Sequence, residues 1–422
     1  MKICNLCGQS RLKEVLDLGY MPPANTLVQI SETVKNQITK YPLRFGYCMD
    51  CFLFQTLDEI NFNLLFNENY TYLSGESSSW RTHLNESLKY FENEFSLKKN
   101  ELVIEVASND GTFLELLRGR GYLEYFGIEP TSSTAEIALK KGLRTEKIFL
   151  NESNSLELCQ KYGRAKLVVA NNVIAHVSNL MNFAKGLINL VDEKGVISLE
   201  FQYFFSLIEN LQFDTIYHEH FSYLHLSNIR NIFEKLNYKI VDVKILATHG
   251  GSLRVVLTRN ENEIRIRNSV LDLLKKEEKK LAEIENLIEF FISGVEKVKS
   301  TTLQDFGKML HSELKVYGYG AAAKTNTFIN FVGLNNSQVV GIFDSAETKI
   351  GKILPQSGIP ILDATLIESF EIDILIIFVW NLYSEIMENL VDRLDNRIKY
   401  ITFNSTEPRE RYVNDSSIQT SN

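Results

Sequence analysis

The sequence predicts an α/β protein in three blocks: a small N-terminal metal module, a central Rossmann-like domain and a C-terminal Rossmann-like domain. Three observations carry this expectation. Four of the five cysteines fall into two Cys-x-x-Cys pairs near the N-terminus. Short apolar runs then alternate with helical stretches, the pattern of a parallel sheet with crossover helices. The alternation returns after a long charged helical stretch. A chain of 422 residues is too long for one hydrophobic core. The blocks are placed at 1–60, 61–258 and 259–422.

In the first block, Cys4-x-x-Cys7 and Cys48-x-x-Cys51 supply four thiolates. Each pair can bend both sulfurs onto one ion, and four thiolates complete a tetrahedral zinc site with no open position. Such a site is structural. It also staples a module too small to fold on its own core. Cys159 stands alone and is expected as a small buried side chain.

The second block predicts strands at Leu102–Val106, Tyr125–Ile128, Leu167–Ala170, Gly195–Glu200, Lys239–Ile245 and Ser252–Thr258. Its first strand breaks into Glu105-Val106-Ala107-Ser108-Asn109-Asp110-Gly111-Thr112, and a helix from Phe113 follows. A turn of small residues lets the backbone approach a ligand and aims helix N-terminal amides at it. The next strand ends in Glu129, an acid placed to accept hydrogen bonds from ribose hydroxyls. Glu105, Ala107, Ser108, Asn109, Asp110, Gly111, Glu129 and Asn171 are the candidate cofactor residues. The pattern fits both S-adenosylmethionine and dinucleotides. Adenosylmethionine has no pyrophosphate to cradle, so a turn with one glycine favours the methyl donor.

Of seven histidines, three fall between 218 and 225, around Phe213-Asp214-Thr215-Ile216-Tyr217-His218-Glu219-His220. A histidine with a carboxylate neighbour is the usual general base near neutral pH. His176 follows the strand ending at Ala170, at the sheet edge where ligands bind. His249-Gly250-Gly251-Ser252-Leu253-Arg254 is placed to shape a pocket wall.

The third block opens with a helix or helix pair over Glu261–Lys299, rich in Lys and Glu with Leu and Ile at helical spacing. Strands are expected at Lys315–Gly318, Val339–Phe343, Ile374–Val379 and Tyr400–Phe403, before a polar tail after Thr406. Gly318-x-Gly320-x-x-Ala323 with Asp344 on the next strand is a dinucleotide-type turn. It supports an alternative, an NAD(P)-dependent oxidoreductase of a nucleotide sugar. A zinc-containing adaptor without catalysis is the third reading.

Hydrophobic residues make up 44% of the chain and charged residues 23%, the proportions of a globular protein. The net charge of −8, without a basic stripe interleaved with aromatics, argues against nucleic acid. The apolar run Ile374–Trp380 is too short to span a bilayer, and the N-terminus lacks the apolar core of a signal peptide. No membrane partner is expected, and the cytoplasm is the expected location.

Taken together these motifs resemble the three-domain, zinc-containing deoxysugar C-methyltransferases, which use S-adenosylmethionine on nucleotide-linked 4-keto-6-deoxy sugars in bacterial antibiotic and surface-glycan pathways. The matching stretches are both cysteine pairs, Glu105–Gly111, Asn172-Val173-Ile174-Ala175-His176-Val177, Phe213–His220, His249–Arg254 and Gly318-Tyr319-Gly320-Ala321-Ala322-Ala323-Lys324. The resemblance implies a zinc domain, a class I methyltransferase domain and a C-terminal Rossmann-like domain. It implies that His220 removes a proton next to a ketone, that Tyr217 and Glu219 position or polarise, with Tyr217 the other candidate for the base, and that His176 and Asn172 contact the sugar's oxygen functions. Tyr70, Tyr72, Ser74, His249, Arg254 and Lys324 are the further substrate residues it suggests. Two departures lie in the last block: Thr325 stands where the family has Gly, and Pro355-Gln356-Ser357-Gly358 replaces Pro-Gly. They bear on which nucleotide or sugar is used. A monomer and a dimer are both compatible with the sequence.

Overall fold

The computed structural model describes residues 2–29, 38–61, 65, 73–395, 397–403 and 409–411. The chain divides into two compact units. The first comprises Met1–Glu14, Phe45–Ser206 and Glu219–Ile284, and the second comprises Val15–Arg44, Leu207–His218 and Glu285–Asn422. Expected substrate residues Tyr70 and Tyr72 lie outside the described residues.

The strands that reach the first unit are β1 (Leu12–Met21), β2 (Tyr41–Cys48), β3 (Phe54–Thr56), β4 (Val103–Val106), β5 (Tyr125–Ile128), β6 (Thr145–Glu146), β7 (Ala165–Asn171), β8 (Val191–Gln202), β9 (Ser222–Tyr223), β10 (Tyr238–Leu246) and β11 (Ser252–Arg259). Its helices are α1 (Ser78–Glu94), α2 (Thr112–Gly119), α3 (Ser132–Lys140), α4 (Glu152–Tyr162), α5 (Leu180–Leu190), α6 (Leu226–Phe233) and α7 (Asn268–Ala282).

A seven-stranded sheet runs in the order β10-β11-β8-β7-β4-β5-β6. The strands from β6 to β8 are parallel, while β11 and β10 run antiparallel at one edge. From β4 the chain moves outward one way through β5 and β6, then returns beside β4 with β7 and moves the other way. The crevice at the carboxyl ends of β4 and β7 is therefore the switch point, where such sheets bind ligands. All four residues of β4 are buried, as expected for a strand covered on both faces. Helix α1 presents Trp80, Leu84, Leu88 and Phe91 at helical spacing to a core shared with Phe113, Leu117, Val103 and Leu167. Its start is capped by Ser77, whose hydroxyl accepts from the Trp80 amide.

A four-stranded sheet, β1-β2-β3-β9, links the cysteine pairs to this domain. It was not expected from the sequence: β3 and β9 span only three and two residues, too short for periodicity to show, while β1 and β2, ten and eight residues long, were not recognised as strands. Phe54 of β3 stacks on Phe204 with ring centroids 3.9 Å apart.

The second unit contains α8 (Ile284–His311), β12 (Val316–Tyr319), α9 (Ala323–Val332), β13 (Ile342–Asp344), β14 (Ile361–Asp363), β15 (Ile374–Ile377), α10 (Tyr383–Leu390), β16 (Lys399–Thr402) and β17 (Arg409–Arg411). Its sheet order is β14-β13-β12-β15-β16-β17, parallel except for the last strand. The expected strand Val339–Phe343 is shifted to Ile342–Asp344, and β14 was not foreseen, being only three residues long. The charged stretch expected over Glu261–Lys299 is two consecutive helices broken at Glu283, α7 at the end of the first unit and α8 in the second. Of the polar tail, only β17 is described. Among the described residues no helix is long and apolar enough to cross a membrane.

Candidate active site

The turn after β4 uses left-handed backbone at Ala107, Asn109 and Gly111, with φ of 58°, 51° and 80°. Two of these are side-chain-bearing residues in a conformation that glycine adopts more cheaply, a strain typical of ligand-binding turns. Gly111 is required on two counts: a Cβ there would lie 2.4 Å from Leu143 Cδ1, and its φ is positive. Gly127 on β5 passes so close to the turn that a Cβ would lie 2.2 Å from Ser108 Oγ. Its contribution has no local sequence signal.

Three buried acids converge on this turn. Glu129 Oε2 accepts from the Asn109 amide at 2.8 Å, and Oε1 from the Thr131 amide at 2.8 Å. Burial raises its pKa, against the pull of these amides. Asp110 accepts from Thr112 Oγ1 at 2.7 Å and Ser74 Oγ at 2.8 Å. Burial disfavours its charge, but those hydrogen bonds and Lys141 outweigh burial and lower its pKa. Ser74 also donates its amide to Asn109 Oδ1 at 3.0 Å, so it sits on the cofactor-type turn. Glu105 is pushed well above the usual carboxylate range, first by burial and then by the charges of Asp110 and Glu129. Its Oε2 has no hydrogen-bond partner among the described residues. A cationic ligand would relieve this concentration of negative charge.

Next to it, the carboxyl end of β7 carries Asn171 and Asn172, the latter at φ 52° with its amide donating to the Glu200 carbonyl at 2.7 Å. A short 3-10 turn, Ile174–His176, brings His176 to the segment Glu219–Phe221. His176 Nδ1 lies 2.7 Å from the Glu219 carbonyl oxygen, and the Phe221 amide donates to the Ala175 carbonyl at 2.8 Å. The His176 and His220 rings meet edge to face with centroids 4.7 Å apart. Enclosure of the His176 ring pulls its pKa down to about 4, only partly offset by the Glu219 carbonyl. Glu219 is buried, whereas His220 is half-buried. Tyr217, also half-buried, belongs to the second unit with His218. His218 is structural: its Nε2 lies 3.2 Å from the Pro42 carbonyl and its ring meets Tyr41.

The sequence did not point to Glu200 and His83. Glu200 is wholly buried at the end of β8 and lies beside Asn171 in the sheet. Its Oε2 is 2.7 Å from His83 Nε2, and its Oε1 accepts from Thr248 Oγ1 at 2.9 Å. Trp80 bridges His83 and His249, with ring centroids 5.0 and 5.2 Å away. His249 takes a left-handed φ of 52°. Arg254, opposite Glu200 on β11, lays its guanidinium 3.9 Å from the centre of the Tyr90 ring.

The four cysteine sulfurs Cys4, Cys7, Cys48 and Cys51 lie within 4.8 Å of one another. Cys4–Cys51 and Cys7–Cys48 are each 3.5 Å apart. Tetrahedral zinc–thiolate geometry sets sulfurs about 3.8 Å apart. The two pairs form the same turn: the Gly8 amide donates to the Cys4 carbonyl at 3.0 Å and the Phe52 amide to the Cys48 carbonyl at 2.9 Å. Gly8 and Phe52 then share a left-handed φ, 74° and 54°. The set can hold one structural metal ion. Cys159 donates to the Asn189 carbonyl at 2.9 Å.

In the second unit, Lys324 donates to Asn381 Oδ1 at 2.6 Å and sits 4.3 Å from the centre of the Trp380 ring. Burial lowers its pKa to about 8 against the opposing charge of Asp214. Asp214 accepts from Trp380 Nε1 at 2.7 Å. The acid of the dinucleotide-type turn, Asp344, is engaged within the fold: it accepts from the amides of Ala321 and Ala346 at 2.7 and 2.9 Å and from Lys349 at 3.1 Å.

Residues 4–66 match a family model described as a candidate zinc-binding domain, residues 80–243 a methyltransferase domain, and residues 247–403 a C-methyltransferase C-terminal domain. The chain is 28% identical over 398 residues to the C-methyltransferase NovU of Streptomyces niveus, covering 94% of each chain. Solved structures with a likeness include magnesium protoporphyrin IX methyltransferase of Synechocystis PCC 6803 with bound SAM, at 15% identity and a TM-score of 0.33 over 42% of this chain and 79% of that one. A SAM-dependent methyltransferase of Anabaena variabilis gives 14% identity and a TM-score of 0.34, over 42% of this chain and 85% of that one. The matched models and the relative make this chain an S-adenosylmethionine-dependent methyltransferase of α/β Rossmann-like fold, with an N-terminal four-cysteine motif that can bind a structural metal.

Proposed function

We propose that the chain is a three-domain C-methyltransferase whose acceptor is a carbon next to the ketone of a nucleotide-linked keto-deoxysugar, in surface-glycan or natural-product sugar biosynthesis. The observation that carries this reading is the His176–His220 pair at the end of β7, beside the acid-lined turn that ends β4. The name of the relative NovU, matched over nearly its whole length, supports carbon rather than oxygen as the acceptor.

The acid-lined turn suits S-adenosylmethionine, which bears a sulfonium and an ammonium. Glu129 would take the ribose hydroxyls, and Glu105 and Asp110 would face the cationic end, with Ala107–Gly111 and Asn171 forming the wall. Bound donor would supply an electrophilic methyl group; the chain's own task is to make the acceptor carbon nucleophilic. His220 would remove the proton next to the ketone, and Tyr217 would steady the enolate oxygen. Glu219 holds the loop through its carbonyl. With Nδ1–H donated to that carbonyl, neutral His176 presents a lone pair on Nε2, so it would accept from a sugar hydroxyl, beside Asn172. Ser74, His249 and Arg254 are the remaining candidates on the substrate side in the first unit; Lys324 is the candidate in the second unit. Zinc would fill the four-cysteine site in a structural role.

The test is to incubate the protein with labelled S-adenosylmethionine and thymidine diphosphate-4-keto-6-deoxyglucose, and to locate the methyl group by NMR. A new carbon–carbon bond next to the ketone is expected. A methyl group on oxygen, or donor binding with no transfer to this or related keto-sugars, would overturn the reading.

A further inference from the structure

The segment following His220 is gripped by both cysteine turns. In the first, Asn5 lies between Cys4 and Cys7, and its Nδ2 donates to the Phe221 carbonyl at 3.2 Å and to Ser222 Oγ at 3.3 Å. Asn5 is itself fixed, because its amide donates to Oε1 of wholly buried Gln55 at 2.9 Å and Gln55 Nε2 donates back to the Ile3 carbonyl at 3.3 Å. In the second turn, the Cys51 carbonyl accepts from Asn228 Nδ2 at 3.2 Å, and the Phe52 carbonyl lies 3.2 Å from His225 Nε2. Between these grips, β9 pairs with β3. The Phe221 carbonyl also receives the Thr56 amide at 3.3 Å, while the Phe221 amide reaches the Ala175 carbonyl, one residue before His176.

A purely structural staple needs none of this. Four sulfurs and an ion would hold residues 4–51 together without a side chain reaching the residue after a candidate base. We infer that the cysteine module sets the position of His220 against His176, and that Asn5 is the positioning residue that transmits it. The inference rests on the proposed role of His220. Catalytic side chains must be held within a fraction of an ångström of the productive geometry, and the backbone that follows His220 helps set where its half-buried ring sits. Asn5 supplies it by fixing both the carbonyl and the following hydroxyl.

The decisive experiment compares Asn5→Ala and Asn5→Asp with the unaltered full chain. Asp keeps the size of Asn and can accept from the Ser222 hydroxyl, but it cannot donate to the Phe221 carbonyl, so both variants lose that bond. Hydrogen exchange read by mass spectrometry should show residues 220–223 exchanging at least about tenfold faster. Metal content, melting temperature and S-adenosylmethionine affinity should stay as in the parent. On thymidine diphosphate-4-keto-6-deoxyglucose, kcat should fall about tenfold or more with KM nearly constant, the signature of lost positioning rather than lost binding. Should Asn5→Ala shed its metal, Ser222→Ala, which removes one Asn5 partner without touching the cysteine turns, must still speed exchange at 220–223 by a few fold. Unchanged exchange in metal-loaded Asn5→Ala or Asn5→Asp overturns the inference. If His220→Asn keeps full turnover while exchange responds as expected, the positioning stands and the role of His220 fails.

Discussion

His176 Nδ1 lies 2.7 Å from the Glu219 carbonyl oxygen, and a carbonyl can only accept. The proton must therefore sit on Nδ1, which fixes the tautomer and leaves Nε2 as an acceptor. The ring is also held neutral, its pKa lowered by burial from 6.5 to about 4.

This gives a pH signature. Well above 6.5 the ring is neutral in both folded and unfolded chains and contributes nothing to the pH dependence of stability. As pH falls from 6.5 toward 4, the unfolded chain binds the proton and the folded chain resists it, so stability drops by about 3 kcal/mol, at 1.36 kcal/mol per pH unit. Denaturant unfolding at several pH values should show this slope, and His176→Gln should flatten it. NMR titration of the ring above pH 6 would contradict the account.

The metal prediction concerns Cys48. Natively purified protein should carry about one zinc per chain. Cys48→Ser should lower metal content, solubility and thermal stability together. Metal-free protein with an undisturbed melting curve would refute a structural zinc site.

What the sequence revealed of the site followed from spacing along the chain. The turn Glu105–Gly111 and the acid Glu129 are legible because strand, turn and acid follow within one local unit. Glu200 and His83 are not, because they are 117 residues apart and meet only through the sheet. Gly127 was silent for the same reason: what forbids a side chain there is Ser108, in the turn that follows the neighbouring strand. The histidine cluster was visible as a set but not in its division of labour. His218 and His225 are engaged by Pro42 and Glu277, while His220 faces His176. Half of the small sheet was out of reach because strands of two or three residues carry no periodicity, whereas β1 and β2, ten and eight residues long, were simply not recognised.

Glu277 is a buried acid in the charged helical stretch, and the sequence did not single it out. It is wholly buried and accepts from Tyr203 Oη at 2.9 Å, the amides of Leu226 and Ser227 at 2.7 and 2.8 Å, and Ser227 Oγ at 2.8 Å, with His225 Nδ1 at 3.2 Å. Burial opposes its charge, but these donors outweigh burial and lower its pKa. Glu277→Ala would orphan several buried donors at once and should cost about 3–5 kcal/mol. A denaturation midpoint close to the parent's would mean that water replaces the carboxylate.

For the methyl donor, Glu129→Ala should weaken S-adenosylmethionine binding by about 1.5–3 kcal/mol, through lost charge-assisted hydrogen bonds. Because Glu129 also receives the Asn109 and Thr131 amides, part of that loss will come from a loosened turn. Glu129→Gln keeps an acceptor and should lose less. Calorimetry that finds equal affinity in parent and Glu129→Ala would place the ribose elsewhere.

The base is decided by comparing His220 with Tyr217. If His220 takes the proton next to the ketone, deuterium should enter that carbon in heavy water, given reversible deprotonation and a base that exchanges with solvent. His220→Asn should abolish methyl transfer and slow that exchange while leaving donor affinity nearly intact, because the turn proposed for the donor, Ser108–Gly111, is a different loop. A general base contributes roughly 10²–10⁴-fold in rate, so the loss must be of that size rather than twofold or threefold. Tyr217→Phe should cost less if the hydroxyl only steadies the enolate, and as much if it is the base. A dead Tyr217→Phe beside an active His220→Asn would reverse the two roles. Normal turnover in both would make the Tyr-His-Glu-His loop structural and move the deprotonation to another group, with the His83–Glu200 pair as the next to test.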